Sequence, residues 1–145
     1  MKQLIILTVC LLGFIGISRA DRDRAIQVNE LPQKAQEFIK QHFAGKDIAL
    51  AKEEKDLMGT SYEVSFVGGN KVEFDKNGEW EEVNCKYSEV PAAIVPQAIR
   101  DVVAKQYPDA KILKIERNTR KYEVKLNNRL ELKFTPDFKL YEIDD

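Results

Sequence analysis

Two rhythms of apolar residues alternate along the chain. Ala35, Phe38, Ile39, His42 and Phe43 are spaced so that they line one face of an α-helix. Pro32 stands just ahead of them, where a missing N–H leaves no bond unmade, and Gly45 follows at the expected stop. Past this point the period shortens to two. Tyr62, Val64 and Phe66 alternate with Glu63 and Ser65; Val72 and Phe74 alternate with Lys71, Glu73 and Asp75. That pattern predicts strands with one buried and one wet face. Asn77-Gly78, between Phe74 and Trp80, predicts a hairpin turn because both residues tolerate positive φ.

The whole pattern then recurs. Leu31-Pro32-Gln33 matches Val95-Pro96-Gln97 at an offset of 64, which also pairs Phe38 with Val102, Ile39 with Val103, Phe43 with Tyr107 and Ile48 with Ile112. After a loop four residues longer in the first copy, the offset becomes 60. It then pairs Tyr62-Glu63-Val64 with Tyr122-Glu123-Val124, Phe66 with Leu126, Val72 with Leu132 and Phe74 with Phe134. Ile99, Val102, Val103 and Tyr107 repeat the helical stripe between Pro96 and Pro108. Leu130, Leu132 and Phe134 follow an Asn127-Asn128 turn. An opening strand near 48–52 (112–116 in the second copy) and a closing one near 80–84 (140–143) complete each unit. Two copies are too few for an open solenoid and enough for one fused sheet. The expected class is α+β: two tandem helix-plus-antiparallel-strand repeats, about 30–84 and 90–144, forming one sheet of about eight strands with both helices on its apolar face.

Ahead of this region, Met1 to Ala20 reads as an export signal. Lys2 is its basic start, Leu4 to Ile17 its apolar run, and Ser18 and Ala20 the small residues before a cut at Asp21. The run of 14 residues falls short of the ~20 needed to span a bilayer, so stable membrane insertion is not expected after cleavage. Cys10 would be the acylated residue of a lipoprotein, but Val9 occupies a position where a small residue is wanted. Without the leader, residues 21–145 form a single 125-residue domain with 21 basic and 24 acidic residues, a net charge of −3. This balance excludes a polybasic nucleic-acid binder. The address is the periplasm or the exterior.

The chain is poorly equipped for catalysis. After the leader it has one cysteine, Cys85, and one histidine, His42. A single thiol cannot close an internal disulfide; Cys85 is either a small buried hydrophobe, the favoured reading, or a nucleophile or intermolecular bridge. His42 lies on or beside the apolar helix face, which favours a structural imidazole over a general base. Neither Ser61, Ser65, Ser88 nor Cys85 lies in a nucleophile motif, and a structural zinc site needs about four nitrogen or sulfur ligands. Asp75-Lys76-Asn77-Gly78-Glu79 resembles the start of a calcium loop but lacks its later ligands. Its counterpart Thr135-Pro136-Asp137-Phe138 drops both the Asn and the Gly. No catalytic residue, cofactor or metal is expected.

What remains is surface. Glu63, Ser65, Lys71, Glu73, Glu123, Lys125, Glu131 and Lys133 would cover the sheet face opposite the helices with mixed charge. Trp80, Tyr87, Phe138 and Tyr141 cannot all be placed inward by alternation. Together with Glu73 and Lys133 they are the candidate partner-binding residues, although sheet-edge packing is the competing account of the aromatics.

These features resemble the PepSY-like family, also labelled "putative β-lactamase-inhibitor-like", of secreted or periplasmic Bacteroidetes proteins. The resemblance is carried by Leu31-Pro32, Phe38-Ile39, Tyr62-Glu63-Val64, Val72-Glu73-Phe74-Asp75, Asn77-Gly78-Glu79-Trp80, Val83-Asn84-Cys85 and Val90-Pro91. Tyr107-Pro108, Tyr122-Glu123-Val124-Lys125-Leu126 and Leu130-Glu131-Leu132-Lys133-Phe134 extend it through the second copy. Pro136-Asp137-Phe138 departs from it, where the family often has an Asx-Gly turn. The resemblance implies tandem modules sharing one curved sheet, and it carries over no catalytic residue. The functional expectation is a non-enzymatic periplasmic module that binds a protein or peptide of the cell envelope through the open sheet face, inhibition being one form of this. The alternative is a structural or accessory envelope protein without a dedicated ligand. A hydrolase using His42 ranks last.

Overall fold

A computed structural model describes residues 22–145, so the export-signal reading and Cys10 lie outside the described residues. Helix α1 spans Gln33–His42 and helix α2 spans Gln97–Gln106, each preceded by a proline at its cap. Short 3-10 turns, Val28–Glu30 and Ala92–Ile94, lead into them. The strands are β1 (Arg24–Ile26), β2 (Ile48–Asp56), β3 (Gly59–Phe66), β4 (Asn70–Phe74), β5 (Trp80–Cys85), β6 (Ile112–Arg117), β7 (Tyr122–Leu126), β8 (Glu131–Phe134) and β9 (Leu140–Asp144). They form one antiparallel sheet in chain order, β1 to β9, without closing into a barrel. The α+β class holds, with one strand more than the eight expected.

The added strand is β1. Arg24-Ala25-Ile26 is too short to show alternation, and it becomes a strand only by pairing, with Ile26 opposite Ala51. Elsewhere register does what periodicity promised. One row of directly opposed residues runs through all nine strands: Ile26, Ala51, Val64, Val72, Val83, Ile115, Val124, Leu132 and Ile143. Val64, Val72, Val83, Ile115, Val124 and Leu132 are fully buried, and they share one core with Ala35, Ile39, Ile99 and Val103 of the helices. Both helices therefore cover the same face, and burying this row and the aromatic residues beside it is the main driving force for folding.

The two turns after β4 and β8 show how different residues reach one geometry. In the first, the Asp75 N–H donates to the Glu79 carbonyl, and Gly78 adopts φ +83°. In the second, the Thr135 N–H donates to the Lys139 carbonyl, with Phe138 at φ +68° in the place of the glycine. The loss of Asn-Gly therefore does not abolish the turn. Phe138 takes up the left-handed conformation while its ring packs 5.2 Å from that of Tyr122. Gly78 could not be exchanged in return, because a Cβ there would sit 2.8 Å from Pro32 Cβ and 2.9 Å from the Ala35 nitrogen.

Candidate partner-binding face

With both helices on one side, the other side of the sheet is open, and strand register decides its pattern. The residues directly opposed across it are Lys52, Glu63, Glu73, Glu82, Glu116, Glu123, Lys133 and Glu142. Five consecutive members are glutamates. At about 4.8 Å per strand they extend across about 19 Å of the sheet. Like charges directly opposite each other are unfavourable by roughly 0.2–1 kcal/mol per pair, so this row needs compensation.

The neighbouring row supplies part of it: Leu50, Ser65, Lys71, Asn84, Lys114, Lys125, Glu131 and Asp144. Lys71 reaches Glu63 at 3.3 Å and Glu73 at 2.9 Å, and Lys114 reaches Glu82 at 3.2 Å and Glu116 at 3.4 Å. Lys121 pairs with Glu123 from the end of β7. The ammonium of Lys71 is held above its ordinary value by its hydrogen bond to Glu73. Burial pulls the Lys114 ammonium down, but Glu82 and Glu116 outweigh it and raise the group. These lysines remain charged through any physiological pH.

A hollow of about 410 Å³ opens on this face across β5, β6, β7 and β8. Asn84, Lys114, Glu116, Glu123, Lys125 and Glu131 surround it. Leu113 also lines it, brought to this side by the irregularity between Ile112 and Lys114. An apolar side chain among charged neighbours gives the hollow one greasy contact within a polar frame.

The six candidate residues do not converge. Glu73 and Lys133 lie on the open face, four strands apart. Lys133 holds Glu142 at 2.6 Å and Asp144 at 2.7 Å, and these two partners raise its ammonium. Trp80 lies on the helix side: a bulge sets it opposite Phe74, its ring is 6.3 Å from Phe38, and the Arg117 guanidinium covers it at 3.9 Å. Phe138 is half-buried against Tyr122. Tyr87 is exposed beyond β5, with Lys86 5.3 Å from its ring, and Tyr141 is exposed on β9 at the irregularity between Lys133 and Phe134. The core-edge account thus fits Trp80 and Phe138, while Tyr87 and Tyr141 are the aromatics left open.

Sequence reasoning missed Lys52, Glu82, Leu113, Lys114 and Glu116. Glu82 could have been found, since it alternates with the buried Val83. The opposed glutamates could not, because register between strands has no local signal. Outside the face, the β2–β3 hairpin carries Leu57 and Met58 fully exposed at its tip. His42 is half-buried with its ring 4.6 Å from Phe38, and loss of solvent lowers its imidazole below the usual value. Cys85 is a buried free thiol, pushed up by burial against smaller opposing effects of Ser88 and Lys46. Among the described residues no group of three or more His, Cys, Asp or Glu side chains is gathered to hold a metal ion. Asp75 uses its Oδ1 to accept the N–H groups of Asn77 and Glu79 within its own turn.

An open antiparallel sheet backed on one face by two helices, with a charged and hollowed opposite face, defines an α+β scaffold presenting a surface. Comparison with known proteins makes the class specific. The chain belongs to the PepSY-like family, whose description is "Putative beta-lactamase-inhibitor-like, PepSY-like" and which matches residues 60–142. Three solved structures from Bacteroides share the fold over nearly their full length. One, from Bacteroides thetaiotaomicron and described as a putative calcium-regulated periplasmic protein, is 60% identical with a TM-score of 0.85. It covers 87% of this chain and 99% of its own. A second, from Bacteroides vulgatus and described as a putative periplasmic protein of the DUF2874 family, is 57% identical with a TM-score of 0.84, with the same coverage of 87% and 99%. A third, also from Bacteroides vulgatus and described as a putative periplasmic protein of unknown function, is 40% identical with a TM-score of 0.81. It covers 85% of this chain and 99% of its own. No curated protein matches the chain. Among the described residues no helix is long and apolar enough to cross a membrane.

Proposed function

We propose that this chain is a non-enzymatic periplasmic binding module that engages a protein or peptide of the cell envelope through the open sheet face. The observation that carries this reading is the row of Glu63, Glu73, Glu82, Glu116 and Glu123, directly opposed on five adjacent strands beside a hollow. A sheet selected only for stability gains nothing from stacking like charges, and departures from local rules concentrate where function demands them. The hollow, with Leu113 on its wall and Lys114 and Lys125 beside Glu116 and Glu123, suits a segment carrying an apolar residue flanked by both signs of charge. A periplasmic address is supported by the descriptions of the three Bacteroides relatives and by the export-signal pattern of residues 1–20.

The calcium regulation named for one relative is said of that protein; among the described residues of this chain no group of three or more His, Cys, Asp or Glu side chains is gathered. The β-lactamase-inhibitor wording belongs to the family, and likeness of fold alone does not carry an activity to this chain. The test is retention of periplasmic proteins on the immobilised chain, compared with Lys114→Glu and Lys125→Glu variants. A partner retained by the parent and lost from both variants supports the reading; identical retention on all three contradicts it. A panel of purified β-lactamases assayed with the soluble protein tests the inhibitory form.

A second reading, a structural envelope protein whose halves hold each other, is favoured by the joint itself. Val83 and Ile115 lie opposed across it, buried in the shared core. It predicts no saturable partner.

A further inference from the structure

Among the described residues β9 is an edge strand of the sheet. The 60-residue offset that aligns the two copies also matches Trp80 with Leu140, Glu82 with Glu142, Val83 with Ile143 and Asn84 with Asp144, placing β9 in the role of β5. β5 is paired on both edges, with Val72 on one side of Val83 and Ile115 on the other. Among the described residues β9 pairs only with β8. The difference is visible in burial: Val83 is 0% exposed and Ile143 is 44% exposed, with Tyr141 beside it at 53%. At the opposite end β1 covers β2 with Ile26 opposite Ala51, just as Val83 lies opposite Ile115. Among the described residues, the edge of β9 that corresponds to the β5–β6 joint is unpaired.

We propose that the free edge of β9 is a docking site for an extended, cationic segment of a partner protein, which adds to the sheet as an antiparallel strand in the register that β6 takes on β5. Backbone pairing supplies the affinity of such strand addition, and alternate side chains supply its selectivity. The chain itself displays the required pattern. In β6, Ile115 lies opposite Val83, and Lys114 lies opposite Asn84 while reaching Glu82 at 3.2 Å. Transposed to β9, an incoming apolar residue covers Ile143, and a basic residue opposite Asp144 reaches Glu142.

Charge selects the occupant. Glu142 and Asp144 share the single ammonium of Lys133, and Asp145 follows them, so the edge is acidic. Self-pairing of two β9 strands would set Glu142 of one copy against Asp144 of the other, like charge on like. The β1 edge of a second copy fares no better, since Ala25 is its residue on the side of Lys52 and supplies no cation. A cationic strand from another protein meets neither obstacle. The edge adjoins the open face through Glu142 and Asp144, but the hollow is lined by residues of β5 to β8, so the fate of the edge does not decide that reading.

The experiment titrates the isotopically labelled protein with an end-capped peptide of alternating lysine and valine and follows backbone amides by NMR. The expected result is saturable change, with new exchange protection, confined to β9 and β8. Ile143→Glu should weaken binding by about tenfold or more, because a carboxylate replaces an apolar contact, while Ile143→Val retains it. Asp144→Lys should invert the preference toward a glutamate–valine peptide. Ile143 is exposed, so these variants are expected to fold, and circular dichroism verifies it. Three outcomes overturn the proposal: changes that map to Glu73 and Glu116 on the open face, binding indifferent to Ile143→Glu, or a β9-dependent dimer of the free protein in sedimentation.

Discussion

Arg117 lies on Trp80. Its guanidinium carbon is 3.9 Å from the ring centroid, and its Nε donates to the Trp80 carbonyl at 2.7 Å. The two residues come from β6 and β5, so this contact fastens these adjacent strands to each other. A cation over an aromatic face and a charge-assisted hydrogen bond together are worth about 1–3 kcal/mol at a partly buried site. Arg117→Ala should lower unfolding stability by that amount, and Arg117→Lys should recover only part because it lacks the planar fork. Urea unfolding followed by Trp80 fluorescence checks both. Equal stability of Arg117→Ala and the parent would contradict the assignment.

Positive φ is carried by a glycine in the turn after β4 and by larger residues, Arg129 and Phe138, in the turns on either side of β8. Gly78→Ala should destabilise by about 2 kcal/mol or more, since the new Cβ meets the start of α1 at 2.8 Å while φ stays at +83°. Arg129, exposed with φ +77°, offers the converse. Arg129→Gly should stabilise by about 0.5–1 kcal/mol by removing left-handed strain. Thermal unfolding midpoints moving in opposite directions confirm the pair.

Cys85 is buried under the core, and its thiol is raised by lost solvation. Iodoacetamide at neutral pH should therefore label it only as fast as the protein opens. Labelling in native buffer at the rate seen in denaturant would show an accessible thiolate instead.

His42 is held below its ordinary value of about 6.5 by desolvation. Folding favours its neutral form, so full stability is present above that value and is lost as pH falls below it through the lowered folded-state value. Stability should decline as pH falls below about 6.5, and His42→Gln should flatten that part of the profile. An unchanged slope in the variant would assign the decline to carboxylates.

Much of this architecture was legible in residue order, but unevenly. Ala35, Ile39, Ile99 and Val103 announced the buried faces of both helices, and Val64, Val72, Val124 and Leu132 the buried side of four strands. Arg24-Ala25-Ile26 gave no sign of β1 because three residues cannot establish a period. Trp80 was ambiguous for a physical reason: a bulge inserts one extra residue and turns the side chain inward, and bulges leave no mark in alternation. Phe138 departs from the Asx-Gly turn pattern, yet a five-residue loop closed by Thr135 and Lys139 tolerates it. The candidate face was half legible. Alternation points to Glu73 and Lys133, but the opposition of Glu82 and Glu116 is a property of the pairing of β5 with β6.

The most direct measurement places a photo-cross-linking amino acid at position 113, inside the hollow, and in a separate variant at Lys40 on an exposed position of α1. Each is irradiated in periplasmic extract with increasing unlabelled parent protein as competitor. A binding module of the kind proposed yields one saturable adduct from position 113, competed away by the parent and absent from position 40. Adducts of equal pattern at both positions, or none that compete, would contradict recognition through the open sheet face.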